Sequence, residues 1–199
     1  MNDQTLRIES LRGQDIARHL DALAAMRCSV FREWPYLYAG SAAYEADYLK
    51  VYVDCPRALC VLVWDGPHCV GASTAIPLSE APRDMQQPFI DAGMAVTQIH
   101  YFGESVLLPA YRGRGLGVRF FELREAHARE LGLTECAFCA VERPPTHPLK
   151  PANHVPNDAF WQRRGYQRQA HLRTSLSWPD IGESASSAKP MTFWMRTLA

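Results

Sequence analysis

Apolar side chains recur at Ile16, Leu20, Leu23, Met26 and Val30, every third or fourth residue, which marks one face of a helix. Residues 6–9 read as a short first strand. The polar turn Arg12-Gly13-Gln14-Asp15 joins strand to helix, with Asp15 placed to cap it. Proline and glycine then break the pattern within Glu33-Trp34-Pro35-Tyr36-Leu37-Tyr38-Ala39-Gly40, and residues 43–53 form a second short helix. Two apolar runs, 58–64 and 69–76, flank Asp65-Gly66-Pro67-His68, the composition of a hairpin turn. Residues 77–93 hold three prolines and mixed polarity, so they read as a long loop with at most one helical turn. A central strand spans 96–108. Residues 115–131 follow as a helix, with Leu116, Phe120, Leu123, His127 and Leu131 as its buried stripe, Glu125 and Arg129 as an exposed i,i+4 pair, and Gly132 as its stop.

Further along, 134–141 reads as a strand, 143–156 as a proline-rich loop, and 157–164 as a short helix closed by Gly165. Residues 167–178 and 191–198 read as terminal strands, and the small, polar residues 182–189 between them as a flexible loop. No repeat or second domain interrupts this order, so residues 1–199 are expected to form one domain. Its fold class is α/β (α+β), with a mixed, mostly antiparallel central sheet flanked by helices.

Composition narrows the picture. Lys plus Arg and Asp plus Glu each number 21, giving a formal net charge of zero, so there is no footprint for nucleic acid or an anionic membrane surface. The longest apolar run, 58–64, is far too short to span a bilayer, and residues 1–5 are polar. A soluble, cytoplasmic protein is expected; the sequence leaves a homodimer open. The six cysteines are Cys28, Cys55, Cys60, Cys69, Cys136 and Cys139, most of them in apolar surroundings that suit small buried hydrophobes. Cys136-x-x-Cys139 followed by His147 and His154 invites a zinc reading. The pair lies in a strand, however, where positions three apart face opposite sides, so no metal is expected.

The candidate chemistry begins at Val106-Leu107-Leu108-Pro109-Ala110-Tyr111-Arg112-Gly113-Arg114-Gly115-Leu116-Gly117, an apolar strand, a glycine-rich turn and a helix start. Free N–H groups and the positive dipole end of the helix make an anion site there, and Arg112 and Arg114 add charge-assisted donors. The spacing is not that of a P-loop, which needs GxxxxGK[ST]. Nor does it match the dinucleotide fingerprint, whose third glycine falls on Val118. The remaining pattern, Arg112-x-x-Gly115-x-Gly117 after Val106-x-x-Pro109-x-Tyr111, resembles the R/Q-x-x-G-x-G/A turn of the GNAT superfamily of acyl-CoA-dependent N-acyltransferases. The resemblance covers residues 99–166, and the first half of the chain agrees in element order only.

That resemblance implies transfer of an acetyl group from acetyl-CoA to an amine of a small molecule, peptide or protein. The turn amides of Arg112, Gly113, Arg114, Gly115, Leu116 and Gly117 would hold the pyrophosphate. Backbone groups of Val106, Leu107 and Leu108 would bind pantetheine and polarise the thioester. A catalytically weak acyl-CoA sensor is the alternative.

Glu104 lies in an otherwise apolar strand. Burying a carboxylate requires a partner or a purpose, so Glu104 is either the general base or a structural residue paired to an arginine or capping a bulge at Gly103. His100 and Tyr101 are second choices for the base. Residues 157–166 resemble the family's A-x-x-[FY]-Y-x-x-x-G-F helix end, but Trp161 stands where relatives place the tyrosine that contacts the CoA sulfur. Trp161 is kept as a CoA contact and the general acid is left unassigned. His147 and His154 in the preceding loop are able to line the site. Trp34, Tyr36, Tyr38 and Tyr44, with the 77–93 loop, are the acceptor-site candidates.

Overall fold

Seven strands hydrogen-bond in the order β1-β2-β3-β4-β5-β7-β6 in the computed structural model, which describes residues 6–199 apart from the side chains of residues 42 and 43. The polar start at residues 1–5 lies outside the described residues. The strands are β1 (Arg7–Arg12), β2 (Leu59–Asp65), β3 (His68–Pro77), β4 (Ile99–Leu107), β5 (Glu135–Val141), β6 (Gln167–Trp178) and β7 (Ser187–Thr197). Only β4 and β5 run parallel; every other neighbouring pair is antiparallel. This is the mixed, mostly antiparallel sheet expected from the element order. The β2–β3 hairpin turns on Gly66-Pro67, with Asp65 opposite His68 and Gly66 at φ +55°.

The helices are α1 (Leu20–Val30), α2 (Ala42–Tyr48), α3 (Lys50–Asp54), α4 (Arg83–Asp91), α5 (Leu116–Glu130) and α6 (Asp158–Arg163). One face of the sheet meets α1 and α4 through Leu23, Met26, Met85 and Phe89. The other meets α5 through Leu116, Phe120 and Phe121. Cys136 and Cys139 belong to these two different cores, so the strand pleat sends the two thiols to opposite faces.

Several expectations need correction. The chain enters α1 through a 3-10 turn, Gly13–His19, and Asp15 caps nothing; its carboxylate pairs with Arg18 instead. The 43–53 segment splits at Leu49 into two helices. The 77–93 segment is more than a loop, because α4 occupies nine residues of it. Pro88 sits inside that helix and has no N–H for the Asp84 carbonyl four residues back, and the Thr174 hydroxyl donates to that carbonyl at 2.9 Å instead. Glu125 is not on an exposed face. It is buried, both its carboxylate oxygens accept from Arg196 Nη1 at 3.0 Å, and Oε1 also accepts from the Tyr166 hydroxyl at 3.1 Å. The terminal loop is also shorter than read, since β7 starts at Ser187 and Lys189 is buried against Asp180 at 3.3 Å. Periodicity alone missed α4 and the burial of Glu125 because a partner remote in sequence, Thr174 for the one and Arg196 for the other, decides each of them.

His100 on β4 is fully buried with both ring nitrogens unpartnered, 5.3 Å from the His127 ring centroid. Burial, then the nearby His127 and Arg124, push its pKa down to about 3. The unfolded chain binds a proton there below its ordinary value of about 6.5, and the folded protein does not. Stability therefore rises with pH between about 3 and 6.5 and falls as acid is added, with a slope approaching about 1.4 kcal/mol per pH unit from this group. Thermal unfolding of His100→Phe followed against pH should lose that slope. Parallel curves for variant and parent would refute the assignment.

Candidate active site

The parallel pair β4–β5 is joined only at Ile99↔Glu135, His100↔Cys136 and Tyr101↔Ala137. Beyond Tyr101 the two strands part. On its other side, β4 carries a bulge: Ser73 faces Ser105 and Ala75 faces Phe102, so Gly103 and Glu104 together oppose Thr74. Gly103 is required there, because a Cβ at that position would lie 1.9 Å from the Tyr52 hydroxyl and 2.7 Å from Thr74 Oγ1. The Glu104 amide donates to Thr74 Oγ1 at 3.3 Å.

A cleft of about 930 Å³ opens where the strands separate. Gly103, Glu104, Ser105 and Leu107 line it from β4, Phe138 to Val141 from β5, and Gly117, Phe120, Phe121 and Arg124 from α5. Trp161 on α6, His154 and Trp34 close the far side. Of the three strand-end residues singled out in the sequence, only Leu107 lines the cleft. Val106 is buried in the core, and the Leu108 amide is taken by the Val70 carbonyl at 3.0 Å. Ser105, one step back, lines the cleft in their place.

The turn after β4 lies at one end of this cleft. Gly113 and Gly115 have φ of +75° and +80°, left-handed values that favour glycine. The Arg119 amide is bound to the Gly115 carbonyl at 3.0 Å, so the amides of Leu116, Gly117 and Val118 have no partner within α5, and no side chain caps the helix. Gly117 lines the cleft, and its absent Cβ leaves Phe160 3.5 Å away. Arg112 also lines the cleft, anchored by Nε to the Leu107 carbonyl (3.0 Å) and by Nη2 to Glu33 (2.9 Å). Arg114 stacks over the Tyr111 ring at 5.0 Å, outside the cleft.

Glu104 lies further along. It is buried, and its Oε2 accepts from Arg27 Nη1 at 2.6 Å, while Arg27 Nε donates to Glu45, itself fully buried. Glu104 Oε1 has no partner. Burial raises the Glu104 pKa above the ordinary carboxylate value, and the Arg27 charge works against that rise. The Arg27 guanidinium also lies 4.2 Å from the Tyr48 ring centroid and 5.0 Å from that of Phe31. The pairing to an arginine beside a bulge is the part of the Glu104 reading that the geometry shows: Oε2 is tied to Arg27, and Oε1 is buried without a partner. Removing Arg27 leaves two buried carboxylates uncompensated. Arg27→Met is expected to destabilise the fold by about 3–5 kcal/mol in chemical denaturation. A loss under about 1 kcal/mol would mean the cluster is not ion-paired in solution.

The second-choice bases do not reach the cleft. His100 is sealed beneath the sheet, and the Tyr101 hydroxyl is 3.2 Å from Cys139 Sγ, outside the cleft lining. Trp161 lines the cleft and packs edge-on against Phe138 (5.0 Å) and Trp194 (5.1 Å). Trp34 and His154 are neighbours at 5.9 Å between ring centroids, and His147 is 5.1 Å from the same indole.

A smaller chamber of about 110 Å³ lies on the other side of Glu104, sharing Phe31, Tyr36, Gly103, Glu104 and Cys139 with the cleft. Tyr38, Tyr44, Tyr48, Tyr101 and Trp178 give it aromatic walls. Arg143 holds the aromatic loop in place, donating to the Pro35 and Tyr36 carbonyls (2.8 and 2.6 Å) and to Asp180 (2.6 Å). In that loop, Leu37 sits at φ +54°, fixed by the Leu37 amide to Glu33 (3.0 Å) and the Ile181 amide to Leu37 (2.7 Å).

Sequence reasoning missed Arg27, Glu45, Arg124, Tyr48 and Trp178. Arg124 is fully packed on the Phe102 ring (4.1 Å) and donates to the Phe120 and Glu104 carbonyls; burial pushes its pKa down to about 10. A charged residue on a helix interior gives no signal of burial until its aromatic partner on a distant strand is known. Among the described residues no group of three or more His, Cys, Asp or Glu side chains is placed to hold a metal ion, and no helix is long and apolar enough to cross a membrane.

The sequence matches the model of the acetyltransferase (GNAT) family over residues 21–151. Solved structures with the same fold include an acetyltransferase from Thermus thermophilus (18% identity, 100% of each chain covered, TM-score 0.56). An aminoglycoside 6'-N-acetyltransferase from Enterococcus faecium (15%, 96% of each chain, 0.58) is also similar. So is an aminoglycoside 6'-N-acetyltransferase complexed with coenzyme A (15%, 96% of each chain, 0.56). A search among curated proteins gave no match.

Proposed function

The chain belongs to the acetyltransferase (GNAT) family, and from that premise we propose that it is a single-domain N-acetyltransferase that moves an acetyl group from acetyl-CoA to an amine. One observation carries the reading: the uncapped N-terminus of α5 and the strand residue that bears a buried glutamate with an unpartnered oxygen, Glu104, line the same cleft. A coenzyme A complex of a structure with the same fold supports the choice of donor.

Within that reading, the amides of Leu116, Gly117 and Val118, with Arg112, hold the pyrophosphate. The edge of β4 at Ser105 and Leu107, left unpaired where β5 departs, runs along the pantetheine. Glu104 takes the proton of the attacking ammonium, directly or through a water. The nitrogen–carbon bond forms, the carbon–sulfur bond breaks, the sulfur departs with the electron pair, and the second proton lost by the nitrogen passes to the departed thiolate or to solvent. A thiol in the cysteine range, with a pKa of about 8.5, leaves as thiolate when donors stabilise it, so Trp161 need not act as an acid. Trp161 in place of a tyrosine favours the second reading, an acyl-CoA-binding module of weak activity.

Free-thiol release from acetyl-CoA with a panel of amines separates the two. Amine-dependent release supports the enzyme, and tight acetyl-CoA binding without release supports the module. Displacement of bound acetyl-CoA by ATP or NAD at comparable concentration would overturn both.

A further inference from the structure

The Glu45–Arg27–Glu104 cluster sets two carboxylates against one guanidinium, all three buried. Ionised, it carries one uncompensated negative charge. Three buried polar atoms at this cluster, Glu45 Oε1, Glu104 Oε1 and the Tyr38 hydroxyl, have no partner; Glu104 and Tyr38 line the chamber, and both residues are more than nine-tenths buried (4% and 7% exposed). Buried polar atoms of this kind are ordinarily satisfied. What satisfies a single negative charge ringed by tyrosine faces is a single cation.

Size and charge restrict that cation further. At about 110 Å³ the chamber is smaller than the roughly 150 Å³ cavity that holds benzene in an engineered protein. Because the chamber is open on one side, it takes a short alkyl chain or one aromatic ring seated in part, with the charged nitrogen left at the mouth beside Glu104. Arg27 lines the same chamber, so a second positive group carried inside would meet a buried guanidinium. Tyr36, packed against Trp178 at 6.0 Å, and Tyr44 offer flat apolar walls, with Leu176 and Met191 completing them.

We infer that the acceptor is a monocationic primary amine with a compact apolar body, an arylalkyl or short alkyl amine, and that the tyrosine chamber beside Glu104 selects it. This inference rests on the acetyl-transfer reading for its chemistry but not for its binding. Glu104 holds the ammonium and Tyr44, half-exposed at the wall, covers the body.

Calorimetric titration of the full chain with benzylamine, n-butylamine, the neutral isostere benzyl alcohol, spermidine and kanamycin tests it. The two monoamines are expected to bind, with benzyl alcohol at least about tenfold weaker than benzylamine. Tyr44→Ala, at an exposed position that leaves the fold intact, should weaken benzylamine about three- to fivefold, the loss of one aromatic face. It should raise KM for benzylamine by the same factor while leaving acetyl-CoA affinity unchanged. Equal binding of alcohol and amine, or acetylation of spermidine or kanamycin with no binding of either monoamine, overturns the inference. Benzylamine binding that weakens in Tyr44→Ala, in a protein that does not bind acetyl-CoA, would keep this site and overturn the acetyl-transfer reading alone.

Discussion

Glu104→Gln is expected to lower kcat by about 10²-fold or more, the range for loss of a general base. The substitution preserves shape, and the glutamine carbonyl still accepts from Arg27, so the bulge and the cleft persist. Acetyl-CoA affinity should be unchanged, because Glu104 does not touch the α5 turn. The pH profile supplies the sharper readout. Burial holds the carboxyl pKa above its ordinary value, so the base is protonated and idle at low pH and becomes competent as pH rises through that value. The parent enzyme should therefore show an acidic limb above the ordinary carboxylate range, and the variant should show none. A variant with parental turnover would remove Glu104 from the chemistry and leave it as the partner of Arg27.

Gly117→Val should weaken acetyl-CoA binding by about 10²-fold. Gly117 is helical, so valine meets no left-handed strain there, and its Cβ would sit at ordinary contact, 3.5 Å from Phe160. The branch instead occupies the mouth of the amide nest at the start of α5. Loss of about two hydrogen bonds to a charged group corresponds to about 3 kcal/mol, or about 10² in Kd. Calorimetry reads the affinity and circular dichroism confirms the fold. Unchanged affinity in a folded variant would place the pyrophosphate elsewhere.

The parts of the site that were legible in the sequence are those written in contiguous residues. The strand, glycine turn and helix around 106–117 declare themselves because positive φ and free amides are local properties. Glu104 was legible as an anomaly, a carboxylate in an apolar strand, although its partner was not. Arg27 lies 77 residues away on an apolar helix face, and nothing in its own segment separates it from a solvated arginine. The element order gave the sheet class, but the need for glycine at position 103 comes from Tyr52, whose hydroxyl, brought in by a helix distant in sequence, leaves no room for a Cβ there. Pro88 misled in the other direction: three prolines suggested a loop, and Thr174, supplied by β6, makes the helix tolerable. Side chains that work across the fold are set by topology, and local pattern does not carry them.

A crystal structure of the chain grown with acetyl-CoA tests the central claim most directly. The expected result has pyrophosphate oxygens within hydrogen-bond distance of the Leu116, Gly117 and Val118 amides, pantetheine along Ser105 and Leu107, and the thioester beside Glu104, where the cleft and the chamber meet. Acetyl-CoA bound away from the α5 turn, or with its thioester remote from Glu104, would contradict it.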